Sequence, residues 1–264
     1  MYKKEEIILQ VKGVNLTYDR PILRDINFDI HNVTRPGMVT GQIVSLIGRS
    51  GIGKTQLFRI LSGLLTPNSG TVCIDADLHP VVAGQIGVVP QNYILFNHRT
   101  ILDNFKIGLR GAVEKSTEKQ KEELIHDYAE RFELKEHLHK YPAQLSGGQR
   151  QRVSILQQIL TGHKFILMDE PFSGLDPVIK DKVLELMVSV ASLSELSTII
   201  IISHDIESAL AISDTAFILA NQKGKEGSTI TETIDLMSMG FSWNPDIKQN
   251  KNFQELVSQM KFRM

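Results

Sequence analysis

The eight residues Gly48-Arg49-Ser50-Gly51-Ile52-Gly53-Lys54-Thr55 fit the pattern G-x-x-x-x-G-K-[ST]. They follow an apolar run at 43–47 and precede a helix-forming stretch at 54–64. Strand, glycine loop and helix in that order open a parallel α/β unit. The glycines let successive backbone N–H groups turn inward around a phosphate, and the helix N-terminus adds partial positive charge. In this pattern Lys54 reaches the β- and γ-phosphates of a nucleotide, and the Thr55 hydroxyl ligates Mg²⁺.

The remainder of the chain extends that frame. Residues 7–14 and 22–30 read as strands of an antiparallel sheet ahead of the loop. Residues 71–75 and 86–89 are strand-like. From about 101 to 160 the pattern turns helical. Within 113–140 mixed charges surround Leu124, Ile125, Tyr128, Phe132 and Leu134 at helical spacing, the mark of a solvated amphipathic pair. Strands then resume at 165–168 and 198–202, separated by a helix at 178–193 and followed by one at 205–212. A hairpin is predicted from 215–220 and 228–231, across Lys223-Gly224-Lys225-Glu226-Gly227. Alternating strands and helices predict a parallel sheet with crossover helices. The connection at 31–41, with Arg35-Pro36-Gly37 inside it, reads as a surface hairpin loop. The tail carries one weakly amphipathic stretch, with Phe253, Leu256, Val257 and Met260.

Composition narrows the class. The 264 residues suffice for one large domain or a domain with a subdomain. The net charge of −1 gives no electrostatic reason to expect a nucleic-acid partner. A single cysteine, Cys73, excludes an intrachain disulfide and a cysteine zinc cluster. No stretch approaches the roughly 20 apolar residues of a membrane helix, and the N-terminus lacks the apolar core of a signal peptide. Any membrane-spanning part is therefore expected from other chains.

Three further motifs carry chemistry. Phe165-Ile166-Leu167-Met168-Asp169-Glu170 is an apolar strand ending in two carboxylates, one able to hold a metal ion and the next to polarise an attacking water. Leu145-Ser146-Gly147-Gly148-Gln149 places a serine and two glycines at the start of a second helix, where open N–H donors suit an anion. His204 follows a buried strand in Ile202-Ser203-His204-Asp205.

Taken together, the glycine loop, the Leu145–Gln149 motif about a hundred residues behind it, and the Asp169-Glu170 strand resemble the ATP-binding cassette family of ABC transporters, from about residue 5 to residue 235. The resemblance implies a mainly parallel P-loop sheet flanked by helices, an N-terminal antiparallel β subdomain and an inserted helical subdomain at about 92–160. These fall within one ATPase domain over 1–240, followed by a short tail at 241–264. It implies ATP and Mg²⁺ as ligands. By resemblance Asp169 is the metal-side acid, Glu170 the general base and His204 the switch histidine at the γ-phosphate. Gln91 is the glutamine that senses Mg²⁺ and the reacting water. Tyr18 is the aromatic that stacks on adenine. Arg49 stands where proline is frequent, and Gln56 where a second hydroxyl commonly touches the α-phosphate. Ser146, Gly147, Gly148 and Gln149 face the nucleotide held by an opposite cassette. Asp176, in Ser173-Gly174-Leu175-Asp176, belongs to a loop crossing that interface.

The partners so implied are a second cassette, with a homodimer favoured, and transmembrane permease subunits. A solute-binding protein is compatible, and no nucleic acid is expected. The place of action would be the cytoplasmic face of the inner membrane, held peripherally. The stretch from Ile94 to Phe105 resembles importer branches serving nitrate, sulfonate, phosphate or polar amino acids. Lipid transport or export stays open, as does a soluble ATPase in DNA repair or translation. The latter usually shows paired cassettes, zinc cysteines or long coiled coils.

Overall fold

The computed structural model describes residues 2–34, 41–112, 117–191 and 198–264. The centre of the 31–41 connection, the start of the charged 113–140 segment and the end of the 178–193 helix lie outside these residues.

The most apolar run, Thr198–Ser203, is a strand (β8) with every residue buried. It lies between β3 (Gln42–Ile47) and β7 (Phe165–Asp169), parallel to both. Such a strand has no solvent face, which is why four isoleucines follow one another without a polar break. They still alternate: Ile199 and Ile201 join one hydrophobic cluster, Ile200 and Ile202 the other. β3 and β7 split in the same way, so this part of the sheet separates two apolar layers.

Among the described residues ten strands form one sheet, in the order β5-β4-β1-β2-β10-β9-β3-β8-β7-β6. β6 (Gly87–Val89), β7, β8, β3 and β9 (Thr215–Asn221) are parallel neighbours. β1 (Lys3–Thr17), β2 (Pro21–Thr34), β4 (Ser69–Ile74) and the short β5 (His79–Pro80) form the antiparallel part. The join is narrow. β10 (Ser228–Asp235) pairs antiparallel with β9 and meets β2 through one parallel bridge, Ser228 to Leu23.

Helix α1 (Lys54–Leu61) packs Leu57, Phe58, Ile60 and Leu61 into the cluster shared with the antiparallel strands. The opposite layer takes α2 (Ile101–Ala112), α3 (Glu118–Arg131), α4 (Gly147–Leu160), α5 (Pro177–Ala191), α6 (Ile206–Ile212) and α7 (Lys251–Arg263). In α2 the residues Ile101, Phe105 and Leu109 recur every four positions and are buried, which gives the helix its inward stripe. α3 begins with a reciprocal cap between Thr117 and Gln120 and buries Ile125 and Ala129.

The tail joins this layer. Asn250 caps α7, and Phe253, Val257 and Met260 are buried on its inner face. Phe253 meets Phe241 edge to face at 5.8 Å between ring centres. Phe253→Ala is expected to destabilise the protein by about 3 kcal/mol. Urea unfolding should show a lower midpoint at unchanged slope, and an unchanged midpoint would mean that the tail does not share the core's cooperativity.

Candidate functional site

Three parallel strands end side by side, and the polar residues follow those ends. Ile47 pairs with Ser203, and Asp169 with Ile202. The Gly48 N–H donates to the Ser203 carbonyl at 3.2 Å, and the Glu170 N–H to the Ile202 carbonyl at 2.8 Å. Binding sites of open α/β sheets form at these carboxyl ends.

The loop between β3 and α1 needs glycine for two different reasons. A Cβ on Gly48 would fall 2.9 Å from the Leu219 carbonyl oxygen. Gly53 has φ +102°, a conformation that side-chain-bearing residues rarely adopt, and it caps α1 without a side-chain acceptor. The donors of the first turn are thus left for a ligand.

Lys54 is buried, and its ammonium group has three acceptors: the carbonyls of Gly48 at 2.8 Å and Arg49 at 3.1 Å, and Glu170 Oε1 at 3.2 Å. The other oxygen of Glu170 collects the Ser203 hydroxyl at 3.2 Å, the His204 N–H at 3.2 Å and His204 Nδ1 at 2.7 Å. His204 Nδ1 therefore donates to the carboxylate, which fixes the ring's orientation.

Asp169 contrasts with its neighbour. Its Oδ1 is buried without a hydrogen-bond partner among the described residues. Burial, reinforced by the Glu170 charge, pushes its carboxyl above the ordinary range, and Lys54 opposes them. A buried oxygen with no donor among the described residues, on an acid that lines the same cleft as Thr55, suits a hard cation.

The structure gathers Tyr18, Ser50, Gly51, Gly53, Lys54, Thr55, Gln56, Gln91, Asp169, Glu170 and His204 around one cleft of about 430 Å³. The Tyr18 hydroxyl donates to Gln56 Oε1 at 3.2 Å, and the Tyr18 ring is about half exposed at the mouth. Gln91 Nε2 lies 3.5 Å from the Ser173 hydroxyl. Gly48 and Arg49 contribute carbonyls beneath the cleft, and Ile52 packs against the antiparallel-side cluster.

The Leu145–Gln149 motif and Asp176 do not line that cleft. Ser146 caps α4: its hydroxyl accepts from the Gln149 N–H at 3.3 Å, while its own N–H donates to Gln149 Oε1 at 2.9 Å. This reciprocal cap satisfies the third residue of the helix and leaves the N–H groups of Gly147 and Gly148 without an intrahelical acceptor. A Cβ at Gly147 would meet nothing within 4 Å. Asp176 accepts from the Val178 N–H at 3.1 Å at the start of α5.

Two site residues escaped the sequence reading. Ser203 is fully buried and bridges Glu170 to the Asp205 N–H; its place directly before His204 was the available signal. Ser228 sits close to the carbonyls of Ile22, at 3.0 Å, and Ile52, at 2.6 Å, and so ties the glycine loop to β2 and β10. Its partners are far away in sequence, and no local pattern marks it.

The family profile described as ABC transporter matches residues 31–173. The sulfate/thiosulfate import ATP-binding protein CysA of Pseudomonas aeruginosa is 32% identical over 80% of this chain and 63% of its own length. The glutamate/glutamine/aspartate/asparagine transport ATP-binding protein BztD of Rhodobacter capsulatus is 33% identical over 84% of this chain and 83% of its own. The chain thus spans somewhat less than two thirds of the sulfate/thiosulfate relative. The solved structure of cbiO1 from Clostridium perfringens, described as part of the ABC transporter complex cbiONQ, has the same fold. Its TM-score is 0.73 at 24% identity, covering 97% of this chain and all of that one. This chain belongs to the ABC transporter ATP-binding family.

Beside the cleft, Asp205 caps α6 and pairs with Lys180 at 2.7 Å. Burial pushes its carboxyl upward, but bonds from Lys180 and Ser208 outweigh that and hold it below the usual range. A depressed folded value stabilises above the unfolded value and loses that contribution as pH falls through the folded one. The thermal-stability difference between wild type and Asp205→Asn is therefore expected to be constant above about pH 5 and to shrink below about pH 4. A difference independent of pH would remove the charged cap from the account.

Proposed function

We propose that this chain is an ATP-hydrolysing subunit that energises a membrane transporter, a bacterial importer of a small solute, through ATP-driven closure of two cassettes. The observation that carries the reading is the meeting of Lys54, Asp169, Glu170 and His204 at the ends of three parallel strands, under an uncapped helix N-terminus.

The N–H groups of the later loop residues and of the first turn of α1 would cradle the phosphates, the Gly48 N–H staying on the Ser203 carbonyl, with Lys54 exchanging an internal acceptor for a phosphate oxygen. The Tyr18 ring would stack on adenine, and its hydroxyl, bonded to Gln56 Oε1, would leave the Gln56 NH₂ as a donor for the nucleotide. Thr55, Asp169 and Gln91 would hold Mg²⁺, and the Asp169 oxygen that lacks a partner among the described residues supports that assignment. Bound there, the ion would neutralise charge developing between the β- and γ-phosphates. Glu170 would accept a proton from the attacking water, and His204 and Ser203 keep its carboxylate oriented. Phosphoryl transfer to water depends mostly on such positioning and charge.

The second anion-binding helix end, at Ser146–Gln149, stands outside the cleft that holds Lys54. That separation supports a site completed by Ser146, Gly147 and Gly148 of another cassette, with Asp176 near the contact. No helix among the described residues is long and apolar enough to cross a membrane. Permease subunits would therefore supply the path, with a solute-binding protein as an additional partner, and the cassette would work at the cytoplasmic face of the inner membrane. The relatives' names span sulfate/thiosulfate, amino acids and, in a Protochlamydia amoebophila protein 36% identical over 76% of this chain, spermidine/putrescine. Such different cargoes on similar cassettes support selectivity residing in the permease side.

Glu170→Gln is expected to lower ATP turnover by at least about 100-fold while keeping ATP binding, and to accumulate a closed dimer by light scattering with ATP. Normal turnover would overturn the base assignment. Lys54→Ala should lose most ATP affinity in a fluorescent-nucleotide titration, and unchanged affinity would refute the cradle. Mild extraction of the Glu170→Gln protein from native membranes with ATP should recover a polytopic membrane protein. Recovery of only ribosomal or DNA-associated proteins would overturn the transporter reading.

A further inference from the structure

Gln149 performs two tasks with one amide. Its oxygen accepts from the Ser146 N–H at 2.9 Å, closing the cap of α4. Its nitrogen lies 2.8 Å from His137 Nε2. The first contact fixes the second: with the oxygen committed to a donor, the NH₂ group must face the imidazole. An amide NH₂ only donates, so His137 Nε2 has to be the bare, accepting nitrogen. The ring is then neutral and carries its proton on Nδ1. That nitrogen is buried and has no hydrogen-bond partner among the described residues. The other tautomer would set N–H against NH₂ at the 2.8 Å contact.

The backbone beneath the ring is well anchored. His137 closes a short 3-10 turn, Lys135–His137, between the fully buried Leu134 and Leu138. Its N–H donates to the Leu134 carbonyl at 2.8 Å, and its carbonyl accepts from the Lys140 N–H at 3.0 Å. The imidazole is therefore presented to Gln149 from a rigid base outside α4.

We propose that His137 is a positioning residue for the Ser146–Gln149 motif: as the Nδ1–H tautomer it holds the Gln149 amide in its capping orientation. That in turn keeps the N–H groups of Gly147 and Gly148 aimed for an incoming phosphate. This inference rests on the proposed role of the motif in ATP hydrolysis, but its structural core does not need turnover.

Two measurements test it. Long-range ¹H–¹⁵N spectra of the wild-type protein at neutral pH, assigned with His137→Gln, are expected to show a bare Nε2 and a protonated Nδ1. A protonated Nε2 would overturn the proposal, whatever the protein hydrolyses. For turnover, His137→Leu removes the acceptor and keeps bulk, while His137→Gln retains an acceptor oxygen at similar reach. His137→Leu should lower kcat for ATP about fivefold, the effect of one neutral hydrogen bond. Nucleotide affinity of the single cassette should be unchanged, and His137→Gln should return kcat to within about twofold of wild type on the same basis. Wild-type kcat in the leucine variant, or equal loss in both variants, would reduce His137 to packing and overturn the proposal. Absence of ATP hydrolysis by the wild type would instead count against the proposed function and leave the tautomer result standing.

Discussion

Two opposite charges, both almost wholly withdrawn from water, hold the centre of this structure together. Lys54 on α1 and Glu170 just beyond β7 meet at 3.2 Å, both residues buried. Neither is tolerable alone in such surroundings, because an unpaired buried charge is costly. The pair is therefore extended until every donor and acceptor is used: two loop carbonyls on the lysine side, Ser203 and His204 on the glutamate side. Glu170 keeps φ +50°, a region that disfavours side-chain-bearing residues. The surrounding contacts over-determine that conformation, and they exist only if β3, β7 and β8 are in register. The sheet and its two apolar layers are the means by which that register is kept.

Adjacent carboxylates at the end of one strand differ because their surroundings differ. Glu170 is saturated with donors, whereas the buried oxygen of Asp169 has none among the described residues. The protein thus leaves one acid short of positive charge beside another that has enough. Such pairs separate roles: the acid lacking a partner suits a metal ion, and the one already oriented by a histidine suits proton transfer. This is the physical support for assigning the two residues differently, beyond their order in a motif.

Much of this was legible in the chain because it is local. The glycine loop, the β-branched run at Ile199–Ile202 and the serine-glycine start of α4 each declare themselves within a few residues, since turn geometry, strand burial and helix capping are short-range constraints. The reading ended α1 late, at 64 instead of Leu61, because helix ends are set by caps more than by apolar periodicity. What stayed hidden is non-local. Ser228 supports the loop from 176 residues away, and the amphipathic face around Phe253 gave no sign of meeting Phe241 and the main core. The Lys54–Glu170 contact likewise depends on strand order, which periodicity does not encode.

The two helix N-termini carry the last step of the synthesis. α1 starts at a glycine with no side-chain cap and no acid in its first turn, so its donors are open above Lys54. α4 starts with a serine and a glutamine that cap each other, closing the N–H donors of Ser146 and Gln149 and leaving those of the two glycines between them. Both helix ends leave N–H donors that suit an anion by the same physics, and only the first lies at the Lys54 cleft. On the proposed function, a nucleotide in the first cleft would leave the α4 end of the same chain unused, and a second copy would bring its own α4 end to that nucleotide. Division of the phosphate donors between two chains would then make closure depend on the nucleotide, because only a closed pair would present both sets at once. In that proposal the orientation of one amide on α4 would bear on the whole cycle, because a motif acting across an interface has to be stiff before its partner arrives.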